Sequence, residues 1–251
     1  MSAELDAIVA LSRALGDPEL AILGEGNTSL RSGADTMQVK ASGASLATVT
    51  AADFVELETA PLLALLDDPA AGDAAVAEAF AAVEARSGRR PSVEAMLHAV
   101  CLERGGAEVV GHTHPVPVLA LLCSPHAEAL ATHLLFPDQI VVLGRHPLFV
   151  PYVDPGLALA RRVRDDLEAH VARHGEPPQV IYLGNHGLFA LGRTPEHVLQ
   201  ITAMAVKASR VLAGALAVGG ATPLTEADAD RIDTRLDEHY RRERLERTGD
   251  G

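Results

Sequence analysis

Positive charge is scarce in this chain: 21 Lys and Arg stand against 34 Asp and Glu in 251 residues, a formal net charge of -13. So acidic a surface repels the phosphates of nucleic acid and of anionic lipid, and neither is an expected partner. Any phosphate or carboxylate on a small ligand must then be met by local donors. Cysteine is scarce too. Cys101 and Cys123 share no CxxC spacing and sit in apolar surroundings, which reads as two buried free thiols without disulfide or metal roles. No uninterrupted apolar run reaches the roughly 20 residues of a membrane span, and the acidic, amphipathic N-terminus lacks the basic start and apolar core of a signal peptide. A cytoplasmic protein with no membrane partner is expected. Internal repeats, useful heptads and regular βαβ alternation are missing as well.

What is present is enough for one full core: 48% of the residues are hydrophobic, which fits one large domain better than two. Apolar positions at helical spacing mark 3–15 as an amphipathic helix, stopped by Gly16-Asp17-Pro18. Residues 21–31 read as a strand, a glycine-rich turn and a second strand, and 36–40 alternate like a strand that ends in a solvated Lys40. Residues 54–57 continue as helix or strand after a cap at Thr50, and a linker leads into a helix over 73–86. Further helices are expected over 116–123, 156–173 and 195–217, with strands at 108–114, 140–143 and 179–186. The implied fold class is α/β, a three-layer αβα arrangement with a mixed, mainly antiparallel central sheet. The main domain spans 1–220, and 221–251 form a charged C-terminal helical tail.

The chemistry centres on His112-Thr113-His114-Pro115, at the end of the apolar run that starts at Ala107. On a strand, residues two apart share a face, so His112 and His114 present both imidazoles to one point. A catalytic zinc-like site needs a third protein ligand, and His186, at the polar end of 179–186, is the candidate. A lone histidine at a strand end is more often a hydrogen-bonded structural residue, so the assignment rests on the three together. Pro91-Ser92-Val93-Glu94 is a helix start that brings a carboxylate into the first turn. His98, one turn later, reads as a supporting or core residue, and the histidines at 126, 133, 146, 170 and 174 as surface or loop residues. Gly26-Asn27, Ser42-Gly43 and Ser92 at the helix N-terminus offer amides and hydroxyls for an anion, although each such turn taken alone is usually only a turn.

Glu94, His112-x-His114-Pro115, Asn185-His186-Gly187 and the earlier Gly26-Asn27-Thr28-Ser29 follow in the order and approximate spacing of the class II aldolase/adducin-head family. The sequence resembles that family over roughly residues 5 to 215. The stretch 151–160 is similar to the aldolase half of fused rhamnulose-phosphate aldolase/lactaldehyde dehydrogenase proteins, with no dehydrogenase half expected here. The resemblance implies a metal-dependent aldehyde-lyase acting on a phosphorylated ketose through a metal-stabilised enediolate. The metal would be Zn2+, or Mn2+ or Co2+, held by His112, His114 and His186. Glu94 would be the base, and Gly26, Asn27, Ser42, Gly43 and Ser92 would bind the substrate phosphate. Val93 stands where several members have a second hydroxyl. The family aldolases use tyrosines as a further proton donor; none falls soon after His114, which leaves Tyr240 and Tyr152. The resemblance also implies a homotetramer with sites at subunit interfaces. A dehydratase or 4-epimerase could use the same centre, but related epimerases carry aspartate at the Glu94 position. A non-catalytic adducin-head module has no need of the three histidines.

Overall fold

The computed structural model describes residues 3–235. Its strands are β1 (Asn27–Arg31), β2 (Thr36–Lys40), β3 (Phe54–Glu58), β4 (Val109–Thr113), β5 (Leu148–Val150), β6 (Val180–Leu183) and β7 (Gly187–Gly192). They form one sheet in the order β3-β2-β1-β4-β7-β6-β5, in which only β5 and β6 run parallel. The helices are α1 (Ala3–Leu15), α2 (Thr59–Asp67), α3 (Asp73–Ser87), α4 (Ala95–Glu103), α5 (Val116–Leu122), α6 (Ala129–Thr132), α7 (Pro137–Leu143), α8 (Leu157–His174), α9 (Pro195–Ala217) and α10 (Glu226–Asp233). Ile8 and Leu11 of α1, Leu122 of α5 and Ile201 of α9 share one core with Tyr182 and Leu188 of the sheet. Leu66 of α2, Val100 of α4 and Leu167 of α8 share the other core with Val110 and Ile181. The result is the three-layer αβα arrangement implied by the sequence.

β4 lies between β1 and β7, and all five of its residues are buried. Its alternation sends Val109 into one core and Val110 into the other, and His112 shares the face of Val110. Thr194 caps α9 by accepting the His197 amide, with Pro195 as the first helical residue. By length and composition α9 could cross a membrane, but here it packs against α1, α5, α7 and β7.

Several expectations give way. Residues 140–143 form the end of α7 instead of a strand. A four-residue apolar run carries no usable period, and Pro137 at the helix start decides the matter. The region 21–24 holds no strand: Leu23 has φ +53° and is exposed, so the chain turns there at once. Cys123 is exposed while Cys101 is buried. His170 is buried, and the His146 and His174 rings stack 3.8 Å apart beside it, so these three are not independent surface residues. Of the charged tail, residues 221–235 are described, and α10 within them is tied down by Arg145 through Glu226 and Asp230.

Burial holds three histidines neutral: His98 falls to about 3, His170 to about 4 with help from His174 and His146, and His197 to about 4 with help from Arg193. Each folded value lies below the ordinary one, so between about pH 6.5 and 4 the unfolded chain binds more protons than the native state. Stability is therefore complete above that window and declines as pH falls through it. For one fully buried ring the slope approaches about 1.4 kcal/mol per pH unit. Urea midpoints measured from pH 7 to pH 4.5 should fall steadily; a flat profile contradicts the burial of these rings.

Candidate metal centre

His112 is placed by β4 and fixed by three contacts. Its register partner Phe189 on β7 stacks against the ring, with centroids 4.2 Å apart. Its Nδ1 lies 2.9 Å from the Leu188 carbonyl, and as Nδ1 donates there, Nε2 carries the free lone pair. That Nε2 stands 2.9 Å from His114 Nε2. His114 follows the strand, and its backbone amide donates to Leu20 O at 2.9 Å.

His186 comes from the turn that joins β6 to β7, not from a strand next to β4, because β7 lies between. The Asn185-His186-Gly187 sequence is what that turn requires. Asn185 sits at φ +55°, a conformation that asparagine tolerates better than most residues. A Cβ on Gly187 would lie 2.6 Å from His114 Cδ2 and 3.3 Å from His112 Cε1, so any other residue would displace the rings.

One ligand nitrogen from each of His112, His114 and His186 falls within 4.8 Å of the others. Burial, aided by the neighbouring rings, holds His114 down to about 3, unprotonated and ready to ligate. Glu94, the cap residue of α4, closes the open side: its Oε1 lies 3.0 Å from His186 Nε2 and its Oε2 3.2 Å from His112 Nε2. Burial works to raise its pKa, but the His112 and His186 side chains beside it outweigh that and hold the carboxyl well below its ordinary value. Three convergent imidazoles with a carboxylate beside them suit zinc or a similar divalent ion.

The residues expected to bind phosphate gather next to this centre. Asn27 Nδ2 donates to Glu94 Oε2 at 2.8 Å and to Ser92 Oγ at 3.0 Å. Gly26 has φ +68°, and a Cβ there would meet the His112 carbonyl at 2.8 Å. The Ser42 amide donates to Arg90 O and the Ser92 amide to Lys40 O, which draws the loop holding Ser42 and Gly43 up to Ser92. Val93 is exposed between Ser92 and Glu94. Tyr240 lies outside the described residues. Tyr152 is exposed, donates to Asp154, and has its backbone against Gly184, two residues before His186.

Two residues with a part in the site were not read from the sequence. Phe189 supports His112, and only the β4–β7 register reveals it. Lys40, expected in solvent, is 2% exposed, because the loop after β2 wraps over it and accepts its ammonium through the Ala41 and Ala44 carbonyls. Desolvation lowers it to about 8, against the pull of Glu94 and Asp53.

A sequence model described as the Class II Aldolase and Adducin N-terminal domain matches residues 6–213. The chain belongs to that family. Class II aldolases use a divalent metal, which the His112, His114, His186 triad could bind, and lyase chemistry is supported at the level of the family. Among solved structures, the N-terminal class II aldolase domain of a conserved protein from Thermoplasma acidophilum is 26% identical, with a TM-score of 0.63 over 84% of this chain and 94% of that one. L-fuculose-1-phosphate aldolase from Thermus thermophilus is 20% identical, with a TM-score of 0.61 over 89% and 100%. A probable bifunctional methylthioribose-1-phosphate isomerase/methylthioribulose-1-phosphate dehydratase of Nocardia farcinica is 28% identical over 180 residues, 66% of this chain and 27% of that protein. The chain spans about a quarter of the length of the curated relatives it matches, 25% and 27%.

Proposed function

We propose that the protein is a metal-dependent aldolase that cleaves or forms a carbon–carbon bond in a phosphorylated ketose or related hydroxy-ketone. The observation that carries this reading is the position of Glu94, an ionised carboxylate within 3.2 Å of two of the three convergent imidazoles and held by Asn27. His112, His114 and His186 would hold Zn2+ or a similar ion, which when bound supplies a Lewis acid for the charge that develops on a carbonyl oxygen. Glu94 moves the proton: in the aldol direction its carboxylate takes one from the carbon next to the ketose carbonyl, and in cleavage it returns one there. Tyr152 or Tyr240 protonates the aldehyde oxygen. Gly26, Asn27, Ser42, Gly43 and Ser92 hold the phosphate. Lys40, a buried cation hydrogen-bonded to carbonyls and not to a carboxylate, adds the positive charge that an otherwise acidic chain must supply locally. We place this enzyme in the cytoplasm as a homotetramer. The similarity to the dehydratase of Nocardia farcinica favours a second reading, loss of water from a sugar phosphate at the same centre.

The test is a screen of short ketose 1-phosphates and their unphosphorylated counterparts with the metal-loaded protein, following release of dihydroxyacetone phosphate and, separately, loss of water. The phosphorylated series should turn over preferentially. Asn27→Ala with Ser92→Ala, or Lys40→Met, should raise KM for it about tenfold or more, as loss of a charge-assisted hydrogen bond does. Equal turnover of the free sugars overturns the phosphate assignment, and dehydrated product without cleavage selects the second reading.

A further inference from the structure

Beneath Glu94 runs a buried line of polar side chains, two of which, Ser29 and His98, have no task in the reaction above. Ser29 Oγ lies 2.7 Å from His98 Nδ1, His98 Nε2 is hydrogen-bonded to Asn27 Oδ1, and Asn27 Nδ2 reaches Glu94 Oε2 at 2.8 Å. His98 and Ser29 are fully buried and Asn27 nearly so. His98 is not part of the metal triad, and its ring packs at a tilt against Phe189, the residue that stacks under His112.

The direction of each hydrogen bond can be worked out from the Glu94 end. An ionised carboxylate only accepts, so the Asn27 edge that faces it must be Nδ2. Oδ1 then faces His98, which must donate from Nε2. Burial keeps the imidazole neutral, so Nδ1 is an acceptor and the Ser29 hydroxyl donates to it. Were the Asn27 amide reversed, Oδ1 would oppose the carboxylate, and Nδ2 would oppose an N–H. Only this tautomer of the buried ring matches an Asn27 amide that points Nδ2 at Glu94.

Resting on the reading of Glu94 as the proton-transfer group, we propose that His98 is a positioning residue that acts through Asn27: its Nε2–H locks the amide with Nδ2 toward Glu94 and so holds the carboxylate beside the metal ligands. His98 touches neither substrate nor ion. Supporting hydrogen bonds of this kind around metal centres are worth about 10- to 100-fold in activity.

Two variants separate positioning from mere packing. His98→Leu keeps the bulk and removes the donor, whereas His98→Gln returns an N–H close to the position of Nε2. In a crystal structure of His98→Leu, the Asn27–Glu94 contact should be lost. Its kcat should fall about 10- to 100-fold with metal content retained, and His98→Gln should recover to within a few-fold of wild type. An unmoved Asn27–Glu94 contact in the Leu variant overturns the proposal, as do Leu and Gln variants equally impaired in kcat. If His98→Leu does not fold, Ser29→Ala releases the tautomer without opening a large void, and an unmoved Asn27 amide there overturns it as well. The crystallographic arm does not depend on any substrate. Absence of turnover in the wild type thus counts against the proposed reaction alone.

Discussion

Glu94→Gln should leave the fold and the metal content intact while turnover falls by about 10^2 to 10^4, the usual contribution of a positioned general base. The replacement keeps the shape of the side chain. Its amide oxygen can still accept from Asn27 Nδ2, which now reaches Glu94 Oε2 at 2.8 Å. What it lacks is the ability to take a proton. The three imidazoles that would bind the ion come from β4, from the residue after it and from the β6–β7 turn, none of which depends on Glu94 for its backbone path. Loss of kcat with retained metal, measured by turnover and by metal analysis of the same preparation, identifies a proton-transfer role. If metal disappears together with activity, Glu94 is a ligand first, and if substantial activity survives, the base lies elsewhere.

The parts of this molecule that were legible in the sequence are those specified by local chemistry. β4 could be read because an apolar run ends in His112 and His114, two histidines of the same parity. α9 could be read because Thr194 and Pro195 announce its start and a long apolar face follows. The triad was legible as residues but not as an arrangement, since β7 between β4 and β6 is a fact of sheet order that no strand announces. Lys40 was misread for a related reason: strand alternation predicts exposure, and its burial comes from the neighbouring loop folding back over it. The same holds for His146, His170 and His174, which come together because a loop and α8 meet in three dimensions. α7 was missed because its buried residues show no period at all.

The centre itself is tested by removing its ligands. The wild-type protein should hold about one divalent ion per chain, and the His112→Ala, His114→Ala double variant should hold none, because a single remaining imidazole retains zinc poorly. The consequence extends to stability. An ion that binds only the folded form at about 1,000 times its Kd adds about 4 kcal/mol, so Zn2+ should raise the thermal midpoint of the wild type and leave that of the variant unmoved. The two positions differ in what else they lose. His112 is fully buried and stacked on Phe189, so its truncation opens a void as well as removing a ligand. His114 is partly exposed at the rim, and His114→Ala alone serves as the control that stays folded. Metal bound in equal amounts by wild type and double variant, or a thermal shift with Zn2+ of the same size in both, removes the ion from this centre and with it the chemistry proposed for Glu94.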